Sequence, residues 1–577
     1  MFRALLHDPL QGAWLAFGRP RVEYRVVDLG SLPNVLHAVC DTARARGLWA
    51  AGMLSYEAAP AFDPSFSVHP ADGFPLAWFG LFDPPEVLTS LPPAADASRP
   101  GGPWIPSCDA ASYARRVQSI RDFIARGETY QANFTFRLRR EFPGDAYALF
   151  RALAGQGPPP FAAYLDLEAH AICSLSPELF FRLDGDLLVS RPMKGTSPRG
   201  LSSDDDRLSA DRLRRSPKNR AENIMIVDMV RNDLGRVARA GSVAVSSMYD
   251  IEQYPTVWQM TSTVEARTDA AVPEILAALF PPASITGAPK VRTMQIIREL
   301  EDSPRNVYTG AIGWIAPSGA AQFSVAIRTL LVDRNRSTAE YGVGGGIVWD
   351  SDPGEEYQEC LIKSAILDRE PIDCALLETM LWAPDGGCAL LEDHLARLRS
   401  SARYFGYPFD LAQIRNRLAE AARATLFPRK IRVLLARDGL VTVESTPYHP
   451  FPGDGIPVVR LADQPVDTRD PFLYHKTTHR AVYDRARERA ARCDDVILWN
   501  SGNQITESCI ANVVLEIDGA LFTPPVACGL LPGVARGGAL RAGTLRERIM
   551  YVDELKRAGR IFLINAVRGM YEVRLAE

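Results

Sequence analysis

At 577 residues the chain is too long for one hydrophobic core; at roughly 150 residues per domain it allows three or four. A composition 47% hydrophobic and 23% charged is ordinary for a soluble globular protein, and a net charge of −4 gives no electrostatic case for nucleic acid or an anionic membrane. No stretch reaches the roughly 18 uncharged apolar residues of a membrane span. The opening MFRALLHDPLQGAWL meets Asp8 and Pro9 before a signal peptide can form, so a cytoplasmic protein is expected. The nine cysteines stand singly, without CxxC or zinc spacing, and neither disulfides nor a zinc site is expected.

Residues 1 to about 90 alternate short strand-like runs (VEYRVVDL, AGMLSYEAA) with turns, and the loop LPPAADASRPGGPWIP closes this stretch. YARRVQSIRDFIARG, from Tyr113, reads as a helix ended by Gly127. Strand and helix patterns alternate to Leu367, DREPID (368–373) breaks them, and a new pattern starts at Leu376. The expectation is an α+β chain with boundaries at 1–100, 101–370 and 371–577.

Within the second of these, SPELFFRLDGDLLVSRPMKGTSPRG (176–200) predicts a hairpin turning at Asp184-Gly185. Folding there places Glu178 opposite Arg191, with Lys194 just past the return strand. A carboxylic acid beside an amine can expel a hydroxyl while a nucleophile attacks; the alternative is a surface ion pair. In KNRAENIMIVDMVRNDLGRV, helical spacing aligns Glu222, Ile226, Met229 and Asp233, a carboxylate at one end of an otherwise buried stripe; such an acid is expected to pair with an Arg, metal ligation being the alternative. PPASITGAPK is a turn-rich loop running into a helix, and its free amides suit an anion. AIRTLLV is a strand with one Arg. YGVGGGIVWDSDPGEEYQECLIKSAIL joins a glycine cluster to a helix carrying Glu356 and Glu359; it lacks dinucleotide-loop spacing, and amides cradling a small carboxylate fit better.

Taken in order, SPE, P-x-K-G-T-x-P-R, AEN-x-MIVD-x-x-RNDLG, SITGAPK, AIRT and GGGIV…E-x-x-E-x-x-x-K make residues 110–367 resemble the chorismate-utilising enzymes: anthranilate, aminodeoxychorismate, isochorismate and salicylate synthases. The resemblance implies an α/β sandwich with chorismate in a central cleft. It implies Mg²⁺ on Glu222 and Glu359, and carboxylate binding by Tyr308, Arg328 and the amides of Gly344 and Gly345, with Thr196 and Lys363 in the substrate set. Lys194, where anthranilate synthases carry Ala, resembles the covalent nucleophile of aminodeoxychorismate synthases, with Glu178 as the acid that protonates the leaving hydroxyl. For Lys194 to attack it must be neutral, so a lowered pKa is expected. One departure is Gln259, where many relatives have His; Gln can only hydrogen-bond.

The last third runs LLETMLWAPDGGCALLEDHLARLRSSARYFGYP (376–408), a strand then an amphipathic helix bearing His394, Arg397 and Arg399. Lys476 follows, ahead of a helix, a strand DVILWN, ITES, and a hairpin at Asp518-Gly519. Lys476, then Glu507 in TES-x-x-x-N thirty-one residues on, then GLLPGVAR, resembles the fold-type IV pyridoxal-phosphate enzymes, which include aminodeoxychorismate lyase and the branched-chain and D-amino-acid aminotransferases. The resemblance implies pyridoxal 5′-phosphate bonded to Lys476, its ring nitrogen paired with Glu507, and its phosphate on Arg397 and the amides of Gly533 and Val534. It also implies a homodimer. The segment before the ITES strand is shortened, so the preceding domain is expected to supply cover, and Ala535 stands where aminotransferases carry a hydroxyl.

Fusion to an aminodeoxychorismate synthase favours a lyase releasing pyruvate to give 4-aminobenzoate, an aminotransferase being the alternative. An anthranilate synthase fused to an aminotransferase, or a scaffold that has lost chemistry, are the other readings. No cysteine sits in a G-x-C-x-G elbow (Cys528 in ACGLL comes nearest), so a separate glutamine amidotransferase subunit is expected to supply ammonia.

Overall fold

The computed structural model describes residues 2–94, 102–155, 157–254, 256–367, 372–422, 426–449, 455–490 and 493–576. Positions 368–371 of the DREPID break and 95–101 of the loop before Trp104 lie outside the described residues. The chain divides into two compact units, Met1–Pro198 with Asp211–Pro371, and Arg199–Ala210 with Ile372–Glu577. Among the described residues no helix is long and apolar enough to cross a membrane.

Two ten-stranded antiparallel sheets form the first unit. Leu5 of the strand Ala4–Asp8 faces the helix-covered side of one sheet, packing in a cluster with Val117, Ile120 and Tyr357. Its neighbours Ala4 and Leu6 face the other way, against Met53, Trp78 and Phe82 of the second sheet. Strands covered on both faces need apolar residues at successive positions, which is why ALL (4–6) and AWLAF (13–17) read as continuous runs. On the far side of the second sheet, helices Leu32–Arg46, Pro217–Gly235 and Val272–Leu279 close another core around Phe79, Phe181 and Phe323. Strands from residues 4–88 enter both sheets, so this stretch is woven into the sandwich.

The second unit has a four-stranded sheet, Leu376–Ala383 at its centre beside Arg429–Leu435, under the helix Leu391–Phe405. Its larger sheet has eight strands, and the contact of Glu507 with Asn512 joins Ile505–Ser508 to Asn512–Ile517, closing six of them into a ring. The Asp518-Gly519 hairpin forms as expected: both residues have positive φ (52° and 74°), the primed turn that matches strand twist.

Candidate active sites

One cavity of about 350 Å³ in the first unit is lined by Glu178, Lys194, Thr196, Glu222, Tyr308, Arg328, Gly344, Gly345, Glu359 and Lys363. The hairpin that leads to it is Leu179–Asp184 with Leu187–Arg191. Its register departs from expectation, for Leu179 rather than Glu178 stands opposite Arg191. The turn falls on Gly185 and Asp186, one residue later than the Asp-Gly signal suggests, and a bulge intervenes between Leu179 and Arg182. Arg191 pairs with Glu252 instead. Glu178 lies just beyond the ladder, buried, and accepts a hydrogen bond from the Ser284 hydroxyl at 2.6 Å. Burial pushes the Glu178 carboxyl up to about 7, against the opposing pulls of Ser284 and Lys194. Desolvation lowers the Lys194 amine from its ordinary value, aided by Lys363 and resisted by Glu222, Glu178 and Glu359.

Two helices bring the other carboxylates. Pro217–Gly235, with Pro at its first position and the Ser216 side chain capping the Asn219 amide, carries Glu222. Its Asp233 pairs not with an Arg but with Lys290 at 2.9 Å, because the SITGAPK loop brings that lysine onto the helix. Pro353–Ser364, capped by Asp352, puts Glu356, Glu359 and Lys363 on one face. Lys363 lies 2.8 Å from Glu359 and donates to the Gly344 carbonyl at 2.9 Å. At Glu359 burial opposes ionisation, but Lys363 and Lys194 outweigh it and hold the carboxyl below its usual value. Glu356 accepts from Ser351 at 2.7 Å and is pushed up by burial.

The glycine cluster lies inside the strand Thr338–Ile347, paired with Gln131–Glu141. Strand glycines mark close approach. A Cβ at Gly342 would meet the Tyr308 ring at 2.3 Å, and one at Gly346 would sit 2.4 Å from Lys194 Nζ. Arg328 holds a left-handed φ of 50°, a strained backbone at the cavity wall. Two contacts escape the motif reading. Ser284 opens the SITGAPK motif, but its hydrogen bond to Glu178, 106 positions away, leaves no local signal. Gln131, fully buried, has neither amide atom hydrogen-bonded, and its nitrogen faces the same point over Gly346 as Lys194 Nζ.

A second cavity, about 540 Å³ within the second unit, is lined by Arg397, Lys476, Glu507, Gly533 and Val534. Lys476 sits on a short extended stretch tied to the strand Leu376–Ala383: its carbonyl accepts from Leu377, and Thr477 pairs with Leu376. Burial lowers its amine to about 8, reinforced by Arg397 and Arg480 and opposed by Glu378 and Glu507. Glu507 accepts from the Tyr483 hydroxyl at 2.7 Å, and burial raises it to about 8. Gly533 begins the helix Val534–Arg541; a Cβ there would fall 1.9 Å from the Asn512 side chain. Arg397 makes a two-point ion pair with Glu378, which the sequence reading missed; His394 joins it at 2.7 Å through Nδ1. The other nitrogen of His394 is buried without a partner.

Comparison with known proteins gives these geometries a family. Residues 32–369 match the chorismate binding enzyme family and residues 375–576 the amino-transferase class IV family. An aminodeoxychorismate synthase of Streptomyces griseus is 43% identical over 264 residues, covering 45% of this chain and 36% of that protein. Aminodeoxychorismate synthase component 1 of Klebsiella aerogenes is 41% identical over 290 residues, 50% of this chain and 62% of that one. Anthranilate synthase component 1 of Haloarcula marismortui is 43% identical over 265 residues, 45% and 53% of the two chains. The chain thus spans less than two thirds of each of these curated relatives. In fold, the crystal structure of anthranilate synthase component I from Streptococcus pneumoniae superposes with a TM-score of 0.54 at 23% identity, over 64% of this chain and 92% of that one. The chain belongs to the chorismate binding enzyme family, with an amino-transferase class IV segment joined behind it.

Proposed function

We propose that the first unit converts chorismate and ammonia to 4-amino-4-deoxychorismate and water, and that the second releases pyruvate from that product to leave 4-aminobenzoate. The observation that carries the reading is Lys194 with Glu178 in one cavity, the amine shifted toward its neutral form and the acid kept protonated to about pH 7. Lys194 adds at C2 of the ring diene while Glu178 protonates the departing C4 hydroxyl; ammonia then enters at C4 and the lysine leaves. Arg328, Tyr308 and the amides of Gly344 and Gly345 bind the substrate carboxylates, with Thr196 and Lys363 lining the same cavity. Among the described residues no three acidic, His or Cys side chains gather into a metal cage. Two carboxylates lining one cavity, Glu222 and Glu359, would however hold Mg²⁺ as hard-oxygen donors, and the ion would offset the charge of a substrate carboxylate. Ammonia comes from a separate glutamine amidotransferase subunit, a partner that the component 1 name of the Klebsiella relative supports.

In the second unit the donors fit pyridoxal phosphate. Glu507 is a buried carboxyl whose hydrogen-bond donors, the Tyr483 hydroxyl and the Asn512 amide, are neutral, so its site is suited to one more cation. It would hold the proton on the ring nitrogen, and Arg397 with the amides of Gly533 and Val534 would hold the phosphate. Once bound, the cofactor supplies an electron sink. Lys476, ionising near pH 8, would attach the cofactor and take the C4 proton of the substrate as the C3–O bond breaks, so that the ring becomes aromatic and the enolpyruvate leaving group, gaining a proton on its CH₂ carbon, departs as pyruvate. The test is product analysis of purified protein given chorismate, Mg²⁺, ammonium and pyridoxal phosphate. 4-Aminobenzoate plus pyruvate is the expected result, with Lys476→Ala stopping at aminodeoxychorismate. Anthranilate would overturn the first step. Aminodeoxychorismate that accumulates in the cofactor-loaded wild type would overturn the second and leave an aminotransferase.

A further inference from the structure

The strand that carries Lys194, Met193–Pro198, is not a regular ladder. Met193 stands opposite Thr261 and Thr196 opposite Gln259, so Lys194 and Gly195 together face the single residue Met260. Two residues against one is a β-bulge, which bends a strand and re-aims its side chains. Gly195 permits it with φ at +93°, and a Cβ there would lie 3.0 Å from that of Asn219, so the turn is closed in on both counts.

A bulge also leaves backbone groups that the ladder does not pair. Here one side chain takes up a backbone carbonyl and ties down the next residue's hydroxyl. Gln259 Nε2 donates to the Gly195 carbonyl at 2.9 Å, and Gln259 Oε1 accepts from the Thr196 hydroxyl at 3.1 Å. The side chain is only 7% exposed, and it lines the same cavity as Lys194. A longer contact of 3.5 Å, from Asn223 Nδ2 to the Lys194 carbonyl, assists from the helix side. An amide offers a donor and an acceptor in fixed geometry, and both are used on consecutive residues of the bulge.

We propose that Gln259 is a positioning residue for Lys194: its amide locks the bulge after the lysine and so holds Nζ against Gly346, aimed into the cavity. The proposal rests on the reading of Lys194 as the attacking amine. It makes Gln259 more than the vacancy left by a histidine, since the amide performs a bridge that Ala, Leu or Met cannot and that Glu, lacking the donor, performs only in half.

Two readouts test it. In steady-state amination with ammonium, Gln259→Ala is expected to lower kcat by roughly 10- to 100-fold, as small misplacements of a reacting group do, while KM for chorismate changes less than about threefold. Gln259→His, able to donate and accept, is expected to recover most of the rate, and Gln259→Glu is not. The second readout needs no turnover: the rate at which acetic anhydride acylates Lys194, followed on its peptide by mass spectrometry, should change in Gln259→Ala and return in Gln259→His. Should Gln259→Ala fail to fold, Thr196→Val removes one leg of the bridge with little change in volume and should shift the acylation rate in the same direction. Wild-type kcat and wild-type acylation in a folded Gln259→Ala protein would overturn the proposal. If the wild-type protein makes no aminodeoxychorismate, the functional reading fails, while the acylation series still decides whether Gln259 positions the lysine.

Discussion

Each unit buries one amine in its cavity, Lys194 or Lys476, and the balance of charge around the two differs. Around Lys194 three carboxylates, Glu178, Glu222 and Glu359, favour the ammonium, and desolvation, helped by Lys363, outweighs them to lower the pKa. Around Lys476 desolvation comes first, the guanidinium groups of Arg397 and Arg480 add to it, Glu378 and Glu507 oppose it, and the amine settles at about 8. Burial alone therefore does not set the reactivity of a lysine. On the proposed reading, the carboxylates of the first site serve the substrate's hydroxyl and a cation. On the same reading, the second sets cations against Glu378 and Glu507, and an anionic cofactor would in turn recruit those cations.

The comparison breaks most visibly with the lysines themselves. Lys194→Ala should cut amination by about 10³-fold or more, as loss of a covalent nucleophile does, and leave conversion of added aminodeoxychorismate intact. Lys476→Ala should do the reverse. Amination that survives in Lys194→Ala would show ammonia attacking directly. The next largest effect concerns Glu178. A carboxyl that ionises near 7 delivers a proton below that pH and cannot above it, so kcat for amination should fall as pH rises through about 7. Glu178→Gln should remove that limb and cost roughly 10²- to 10⁴-fold. A profile that keeps the limb in Glu178→Gln would assign it to another group.

Motifs carried much of this, and their blind spots have physical causes. Lys194, Glu222, Glu359, Lys476 and Glu507 each sit in a short motif, and the units bring them to two cavities. What stayed hidden is contact across long separations and polar burial. In the strand Gln131–Glu141, Ala132, Phe134, Phe136 and Leu138 alternate with Gln131, Asn133, Thr135 and Arg137. Alternation of that kind usually means one wet face, yet both faces are buried here, the polar one beside the first cavity and the core of the sandwich. Glu378 offered a better signal: it shares a strand face with Leu376 and Met380, and an acid among inward apolar residues calls for a cation. The hairpin register failed by one residue because a bulge and a shifted turn cannot be told from Asp-Gly alone.

Glu378 gives the smallest and sharpest of these tests, since it supports Arg397 without touching the reacting groups. Burial raises its pKa, but Arg397 and His394 outweigh burial and bring it to about 2, below the ordinary 4.5. A depressed carboxyl contributes stability that is complete above its unfolded value and is lost as pH falls toward the folded one. The second unit should therefore weaken between about pH 4.5 and 2, by up to about 3 kcal/mol at 1.36 kcal/mol per pKa unit. Glu378→Gln should cost on the order of 3 kcal/mol at neutral pH, because it strands the Arg397 charge in a protein interior. It should also flatten that acid limb, measured as the urea midpoint of the transition reporting on the second unit. Added pyridoxal phosphate should then stabilise the variant more than the wild type, as a phosphate dianion on Arg397 replaces the missing carboxylate. If the cofactor stabilises both equally, Arg397 is a structural partner of Glu378 alone, and the anion in the second site is held by the helix start at Gly533 and Val534.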